Sequence, residues 1–458
     1  MVRPGADGAL LQWLVSLIAS LPFCSVGMQS AWFSPALENE EFKRLFNLTK
    51  EETSWVVSMP NIGSIFGSFL GGFLVDAIGR KWCIFATNLP GIVGWGLVYF
   101  GTTVPTLYAA SFISGVAIGM SLNCVPIYIG EIASTELRGA LGTLSNLMIN
   151  VGVVYEYVCG PFVSVPFLAA SSCVVPIVGA VGIIFVPETP EYLLAKDREK
   201  EAIASLERLR GQNPVETEMA YIKKDLKAKE SAGSSVGALR KAGKAILIVS
   251  FLGFMQQVSG NAVLVSYFNE IYGVTTPPMS PIYANVIVSV LTVVTGLLST
   301  WTVEKAGRRL LSHVSCGIQT VTYVALGLFY LYKDDENVKS MTWLPLVLIS
   351  VILSAYNLGQ GPLVFVLIGE ILPKEMRATG ATLSGLGVSL GAFVATYLYP
   401  LIEPHITFLS FGFLVFLTAV FYYVLVPETK GKEREEIRRL MKKGKTRVFT
   451  ISDRVASA

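Results

Sequence analysis

The sequence predicts an all-α membrane protein of twelve spanning helices arranged as two similar six-helix bundles. Its 458 residues are 52% hydrophobic and only 15% charged, whereas soluble proteins carry about 25% charged residues. A charged turn that starts at Asp76 also returns half a chain later at Glu304. Two landmarks of this turn share one offset (304 − 76 = 228 and 307 − 79 = 228). A charged turn repeated once in an apolar chain indicates a duplicated membrane fold.

Each predicted span is an apolar stretch of about 20 residues, the length that crosses a hydrocarbon core. The first run continues past signal-peptide length without a cleavage pattern, so we expect a retained helix. The predicted spans are 9–33, 54–78, 82–101, 105–130, 139–160, 165–186, 245–272, 282–303, 310–332, 343–371, 378–402 and 406–426. They predict an N-terminal bundle (1–186), a water-exposed helical linker (187–244), a C-terminal bundle (245–429) and a tail (430–458). Within the linker we expect helices around 200–209 and 215–229.

The distribution of basic residues predicts the orientation. Bases such as Arg80 and Arg138 fall in short loops on the side of the basic linker, while the acidic runs 38–41 and 334–336 fall on the other side. Because Lys and Arg mark cytoplasmic loops, we expect both termini to be cytoplasmic in a multi-pass protein of the plasma membrane. The sequon at Asn47 then lies outside and is a candidate glycosylation site.

Composition and motifs argue against several classes of function. A formal net charge of +3 is too small to favour nucleic-acid binding. The six cysteines lie in or beside apolar runs without metal-ligand spacing, so we expect free buried thiols and no metal. We find no nucleotide-binding loop of the Gly-rich Lys-Ser/Thr kind and no Ser/His/Asp set. The sequence therefore predicts neither an enzyme nor a cofactor.

Further motifs repeat between the halves and carry a family resemblance. Gly130-Glu131 returns at Gly369-Glu370, and Pro187-Glu188-Thr189 returns at Pro427-Glu428-Thr429. With the charged turns, the run Gln256–Asn261 and the run Gly359–Pro362, this ordered series resembles the sugar porter family of the major facilitator superfamily. Within it, the chain looks most like insect facilitated trehalose transporter-like proteins. The resemblance implies a monomer in membrane lipid that carries a sugar, trehalose or a hexose, by alternating access.

The repeated charges are interpreted as a gate. Acids and bases at the linker-side ends of packed helices pair with specific geometry, and breaking one buried pair is costly. In the resembled family such pairs hold the inner gate shut; the alternative is that the bases only set orientation. The predicted gating network is Asp76, Arg80, Glu131, Arg138, Glu188, Glu304, Arg308, Glu370, Arg377 and Glu428.

A second set of residues is the predicted substrate site. Amides both donate and accept hydrogen bonds, which suits neutral sugar hydroxyls; the alternative is hydrogen bonding between helices. The predicted contacts are Gln256, Gln257, Asn261, Asn146, Thr292, Asn357 and Phe365. Where the family usually has Trp, this chain has Phe365, which keeps an apolar face but lacks the indole N–H. Gly359, Gly361 and Pro362 are predicted to bend the tenth span.

Coupling is predicted from intramembrane charges. Proton-coupled family members pair an acid in helix one with an arginine in helix four, but the span 9–33 has no acid and Ser111 stands at the other position. Facilitated diffusion is therefore favoured. Glu156 is expected to reach water at the outer end of the fifth span. The alternative is that Glu156 carries the proton, which would make the protein a proton-coupled symporter of sugars or polyols. A transport-inactive nutrient sensor is the third interpretation.

Overall fold

The computed structural model describes residues 6–134, 137–211, 215–232, 236–273, 279–372 and 377–426. The regular elements in these ranges are helices. The helices of the N-terminal half are α1 (Ala6–Ala31), α2 (Phe33–Ala36), α3 (Glu40–Phe46), α4 (Lys50–Ala77), α5 (Arg80–Phe100), α6 (Val104–Ile132), α7 (Arg138–Cys159) and α8 (Val165–Ile184). The linker carries α9 (Pro190–Ala195), α10 (Glu199–Arg210) and α11 (Glu216–Ala232).

The helices of the C-terminal half are α12 (Val236–Val258), α13 (Asn261–Ser266), α14 (Phe268–Gly273), α15 (Pro281–Ala306), α16 (Arg308–Leu331), α17 (Glu336–Lys339), α18 (Leu344–Ala355), α19 (Gly361–Ile371), α20 (Arg377–Leu398) and α21 (Pro404–Leu425). A π-helical turn, Tyr356–Gln360, joins α18 to α19. Two single 3₁₀ turns, Gly160–Phe162 and Tyr399–Leu401, follow α7 and α20.

Eleven helical stretches of the described residues are long and apolar enough to cross a membrane. The predicted fifth span is α7, a further helix of 22 residues that packs along α1. This contact is close, because a Cβ at Gly27 would lie 1.9 Å from the backbone oxygen of Ile149. With α7 the helices agree with the predicted twelve spans.

Small residues bring α4 and α6 together. Gly63 and Gly67 of α4 face the backbone of α6, and a Cβ at Gly119 of α6 would lie 2.1 Å from the Ser64 oxygen. Because lipid gives helices no hydrophobic reason to associate, close backbone packing of this kind holds membrane bundles together.

The two halves repeat one backbone device. Gly79 (φ 100°) stands immediately before α5, and Gly307 (φ 86°) stands immediately before α16. Their separation is the offset found in the sequence (307 − 79 = 228). Glycine adopts positive φ without steric cost. The duplication predicted from the charged turns is therefore visible in the backbone.

Among the described residues, the apolar core that the halves share lies on one side. On the side that carries α3, called the α3 face, one cluster combines Trp32 and Trp95 of the first half with Tyr267 and Phe408 of the second. Toward the side of the linker, called the linker face, each half has its own cluster. The halves are thus packed together at the α3 face. The six cysteines are free; four are buried, while Cys159 and Cys173 are partly exposed.

The linker packs on the linker face of the N-terminal half. Its predicted helices are present as α10 and α11, but Leu206 and Leu209 are fully buried. Arg210 donates to the Ile132 carbonyl (2.8 Å), and Gln12 donates to the Leu209 carbonyl (3.0 Å). The linker was predicted to be exposed to water; α10 is exposed on one side and buries its apolar side against the N-terminal half.

Candidate functional site

The π-helical turn lies beside the amides of α12. Nε2 of Gln256 donates to the carbonyls of Gln360 (3.2 Å) and Gly361 (2.8 Å). Nε2 of Gln257 lies 3.5 Å from the hydroxyl of Tyr356, and both side chains are partly exposed. The buried Gln256 thus forms hydrogen bonds between helices, which the sequence analysis gave as the alternative to substrate contact. Gln257 and Tyr356 are each only partly buried, and Tyr356 had no signal in the sequence.

Gly359 allows this turn to approach α16. A Cβ at Gly359 would lie 2.5 Å from the Cβ of Ser315. Ser315 donates to the Ala355 carbonyl (2.7 Å) and accepts from the Gln360 amide (3.2 Å). The predicted interruption of the tenth span therefore takes the form of a π turn, a feature frequent at functional sites. Gly361 and Pro362 follow it at the start of α19.

A second polar group lies where α7 faces α15. The amide nitrogens of Asn146 and Asn150 each lie 3.5 Å from the place that a Cβ on Gly296 would occupy. Thr292, one turn earlier on α15, donates to the Ser289 carbonyl (2.7 Å). Asn150 was missed in the sequence, although its spacing of four from Asn146 puts both on one helix face.

The remaining predicted contacts are less completely described. Asn261 is partly buried at the first position of α13, directly after Gly260 (φ 93°). Asn357 lies in the π turn and donates to the Leu353 carbonyl (3.1 Å). The side chain of Phe365 lies outside the described part of the chain.

Hydroxyls and amides join the halves along α20, and the sequence analysis did not predict them. Ser64 and Ser389 lie 3.0 Å apart, Thr382 donates to Asn123 (3.1 Å), and Asn61 donates to Thr396 (3.4 Å). Nothing in the sequence marks these single polar residues, because each pair is separated by more than 250 positions. They form a polar seam between α4, α6 and α20.

At the α3 face the halves are also joined by polar contacts. The hydroxyl of Tyr157 on α7 bonds to the carbonyl of Val265 on α13. The amide side chain of Asn269 on α14 donates to the carbonyl of Ser34 on α2 (3.4 Å). Trp55 and Tyr397 pack with ring centres 4.9 Å apart. These contacts hold the two halves together at the α3 face.

The predicted gate charges of the first half meet at the linker face. Arg80 donates to both carboxylate oxygens of Glu131 (3.1–3.2 Å) and to the Val75 carbonyl (3.2 Å). It also forms an ion pair with the exposed Asp76 (3.4 Å). We call Asp76, Arg80, Glu131 and Glu188 the Arg80 cluster. Its bidentate pair, held between α5 and α6, is the geometrically specific kind.

Glu188 belongs to this cluster through backbone contacts. Its carboxylate accepts from the amides of Lys81 (3.1 and 3.2 Å) and Thr189 (2.9 Å). Burial raises the pKa of Glu188, while these amides and the charge of Arg80 oppose the rise. A Cβ at Gly79 would lie 2.4 Å from this carboxylate. Only glycine fits there, for its φ and for its lack of a side chain.

Much of the predicted gate in the second half is not described. Arg308 begins α16 as Arg80 begins α5, and Arg309 donates to the Tyr423 carbonyl (2.6 Å). Lys81, its counterpart in the first half, donates to the Ile184 carbonyl (2.7 Å). The following predicted gate positions lie outside the described side chains: Arg138, Glu304, Glu370, Arg377 and Glu428.

The sequence analysis expected Glu156 to reach water, and this was wrong. It is 0% exposed, and one carboxyl oxygen accepts from Ser172 of α8 (2.6 Å). Helical periodicity could not reveal this, because it does not tell which side of α7 meets α8. The acid therefore lies inside the N-terminal bundle.

Comparison with known proteins identifies the family. A family model described as "Sugar (and other) transporter" matches residues 15–441. The chain belongs to the sugar transporter family. Its relatives include the facilitated trehalose transporters Tret1 of Bombyx mori (30% identical, covering 96% of this chain and 89% of the relative) and Anopheles gambiae (31%, 94% and 56%). The chain thus spans little more than half of the Anopheles protein.

Solved structures show the same fold. The chain is similar to the major facilitator proton:xylose symporter XylE bound to 6-bromo-6-deoxy-D-glucose (TM-score 0.78, 22% identity, 95% of this chain and 100% of the other). It is also similar to inward-open XylE of E. coli (TM-score 0.76, 23% identity, 93% and 99%). The predicted twelve-helix major facilitator fold is confirmed.

Proposed function

We propose that this protein is a facilitative sugar transporter that works by alternating access, with trehalose or a hexose as substrate. The observation that carries the proposal is similarity along nearly the whole chain to proteins named facilitated trehalose transporters. The fold adds a route for transport, since alternating access in this fold is a rocking of one bundle against the other around a fixed site.

The packing of the two halves supports this mechanism. They share an apolar cluster at the α3 face and have separate clusters toward the linker face. Such an arrangement suits a carrier that is closed at one face and opens at the other. The reverse state requires the contacts of Tyr157 and Trp55 at the α3 face to separate.

The polar groups support a neutral, hydroxyl-rich substrate. Gln257, Asn146, Asn357 and Thr292 carry no charge, and amides can donate and accept at one sugar hydroxyl. They lie on α12, α7, the π turn and α15, and the last two elements pack against each other. We assign sugar contact first to Gln257, because the residue is partly exposed and its bond to Tyr356 is long.

We further propose that the linker face is cytoplasmic, in the plasma membrane, and that the Arg80 cluster belongs to the inner gate. The cluster would stabilise the state in which the linker face is closed. The exposed Asn47 in the left-handed turn after α3 is the proposed glycosylation site on the outer side.

Uptake of radiolabelled trehalose and glucose by oocytes that express the chain tests the proposal. We expect saturable uptake of one of them, with equal rates in both directions at equal concentrations. If the protein reaches the surface and carries neither these sugars nor related disaccharides, the assignment as a transporter fails and a sensor role takes its place.

Proton-coupled transport is the second candidate, and the burial of Glu156 favours it. A buried carboxylate without a cation is costly, so the acid is expected to hold its proton. The groups around it are Cys24 of α1, Ser172 of α8, and Tyr155 and Cys159 of its own helix. These groups are neutral at physiological pH.

Glu156→Gln distinguishes the candidates. For a uniporter, the variant should transport with the wild-type rate and pH profile, since glutamine retains a hydrogen bond to Ser172. For a symporter, the variant should lose sugar-driven proton uptake, measured with an internal pH dye. Glu41→Gln, an exposed acid of α3, is the matched control.

A further inference from the structure

A cavity of about 450 Å³ opens on the linker face beside the N-terminal bundle. Its walls come from the start of α5, the end of α8, and the helices α9 and α10. The transport site between the halves does not include it. Among its lining residues are Lys81, Trp82, Phe185, Arg198 and Arg208.

Two cations of this cavity have no carboxylate partner among the described residues. Lys81 donates to the Ile184 carbonyl (2.7 Å) and Arg208 donates to the Phe185 carbonyl (3.1 Å). These bonds satisfy the last carbonyls of α8, and Arg309 has the same role in the second half. Each bond uses one donor, whereas lysine carries three and arginine five. Capping thus accounts for only part of what these side chains offer.

The acids of the cavity are already engaged. Glu188 accepts from the backbone amides of Lys81 and Thr189, at 2.9–3.2 Å. Glu201 is bound by the guanidinium of Arg198 through two contacts (2.8 and 2.6 Å). The charge of Glu188 attracts that of Lys81, but in the described part of the chain neither Glu188 nor Glu201 forms an ion pair with Lys81 or Arg208. These two cations can therefore still bind an anion.

The aromatic rim of the cavity indicates the source of that anion. Trp82 is 47% exposed and Phe185 is 70% exposed, at the ends of two spanning helices. Aromatic side chains at this depth lie at the boundary between hydrocarbon and headgroups. Lys81 lies 5.4 Å from the centre of the Trp82 ring, so the charge and the apolar rim are adjacent.

We propose that this cavity binds an anionic phospholipid of the adjoining leaflet. The phosphate lies between Lys81 and Arg208, and the acyl chains follow Trp82 and Phe185 into the bilayer. Basic pockets beside spanning helices on the cytoplasmic side are suited to acidic headgroups. The volume is within the usual range for small-molecule sites.

Binding is measured on the purified full chain in neutral detergent, by fluorescence anisotropy of a labelled short-chain phosphatidylglycerol. We expect it to bind more tightly than labelled phosphatidylcholine. Each basic residue near a membrane surface strengthens the binding of an anionic lipid by a similar factor. Arg208→Gln alone should therefore weaken binding about fivefold, and Lys81→Gln with Arg208→Gln roughly thirtyfold. Lys200→Gln, an exposed cation of α10 outside the cavity, should bind like the wild type.

Further variants separate charge from folding. Lys81→Arg with Arg208→Lys keeps both charges and should retain binding, and the single Arg208 variant serves if the double variant does not fold. Equal binding of the two lipids, or wild-type affinity in the folded Arg208→Gln variant, would overturn the proposal. Displacement of the lipid by glycerol phosphate at equal affinity would assign the cavity to a soluble phosphate and also contradict it.

Discussion

Gln256 and Gln257 are neighbours in the sequence, and because their contacts in the structure differ we expect their roles to differ. Gln256 is 2% exposed and holds two carbonyls at the end of the π turn. A buried hydrogen bond contributes about 1 kcal/mol net, and bonds between membrane helices average about 0.6 kcal/mol. Gln256→Leu, which keeps most of the volume, should therefore destabilise this region by about 1–2 kcal/mol. Gln257→Leu removes only a long bond to Tyr356 and should leave stability unchanged.

Uptake kinetics and thermal unfolding together separate these roles. Gln256→Leu should lower the unfolding temperature and the maximal rate while leaving the KM for sugar within about twofold. Gln257→Leu should raise KM roughly fivefold, the effect of losing about 1 kcal/mol of substrate binding. The reasoning is refuted if Gln256→Leu raises KM at unchanged stability, because its amide would then contact the sugar rather than the π turn.

Three other predictions concern folding and topology. Arg80→Ala leaves Glu131 buried without a cation and should lower the free energy of unfolding by about 3 kcal/mol, whereas Arg80→Ala with Glu131→Gln should lower it by less. The pairing is contradicted if the effects of the two single substitutions on unfolding add up in the double variant. Gly119→Ala should abolish a monodisperse chromatographic peak and Gly130→Ala, with open space on the same helix, should not; equal profiles argue against close packing. Asn47→Gln should remove the gel shift caused by an endoglycosidase, and an unchanged shift would contradict an outer Asn47.

The spans were predictable from sequence because length and apolarity alone define them. The second was predicted as 54–78 and is Lys50–Ala77, with Thr49 and Glu52 forming a capping box at its start. The repeat was also predictable, since Gly79 and Gly307 need positive φ at equivalent turns. A Gly-rich stretch predicted the bend at Gly359, although the π geometry depends on the approach to Ser315.

Contacts between distant helices could not be predicted in the same way. Glu156 looked interfacial because its position along α7 was known but the helix beside it was not. The amphipathic α10 was likewise predicted to be exposed, because the sequence did not show that its leucines pack against the N-terminal bundle. Ser64 and Ser389 carry no signal at all, since single hydroxyls are common in spanning helices. These features arise from packing between helices, and one sequence does not specify which helices pack against each other.

Counterflow in liposomes tests the central claim most directly. Purified protein is reconstituted with unlabelled trehalose or glucose inside, and labelled sugar is added outside while an internal dye records pH. We predict transient accumulation of labelled sugar without a change in internal pH. Accumulation accompanied by a rise in internal pH, as protons leave with the net efflux of unlabelled sugar, would establish proton coupling instead, and no exchange of any sugar would contradict transport itself.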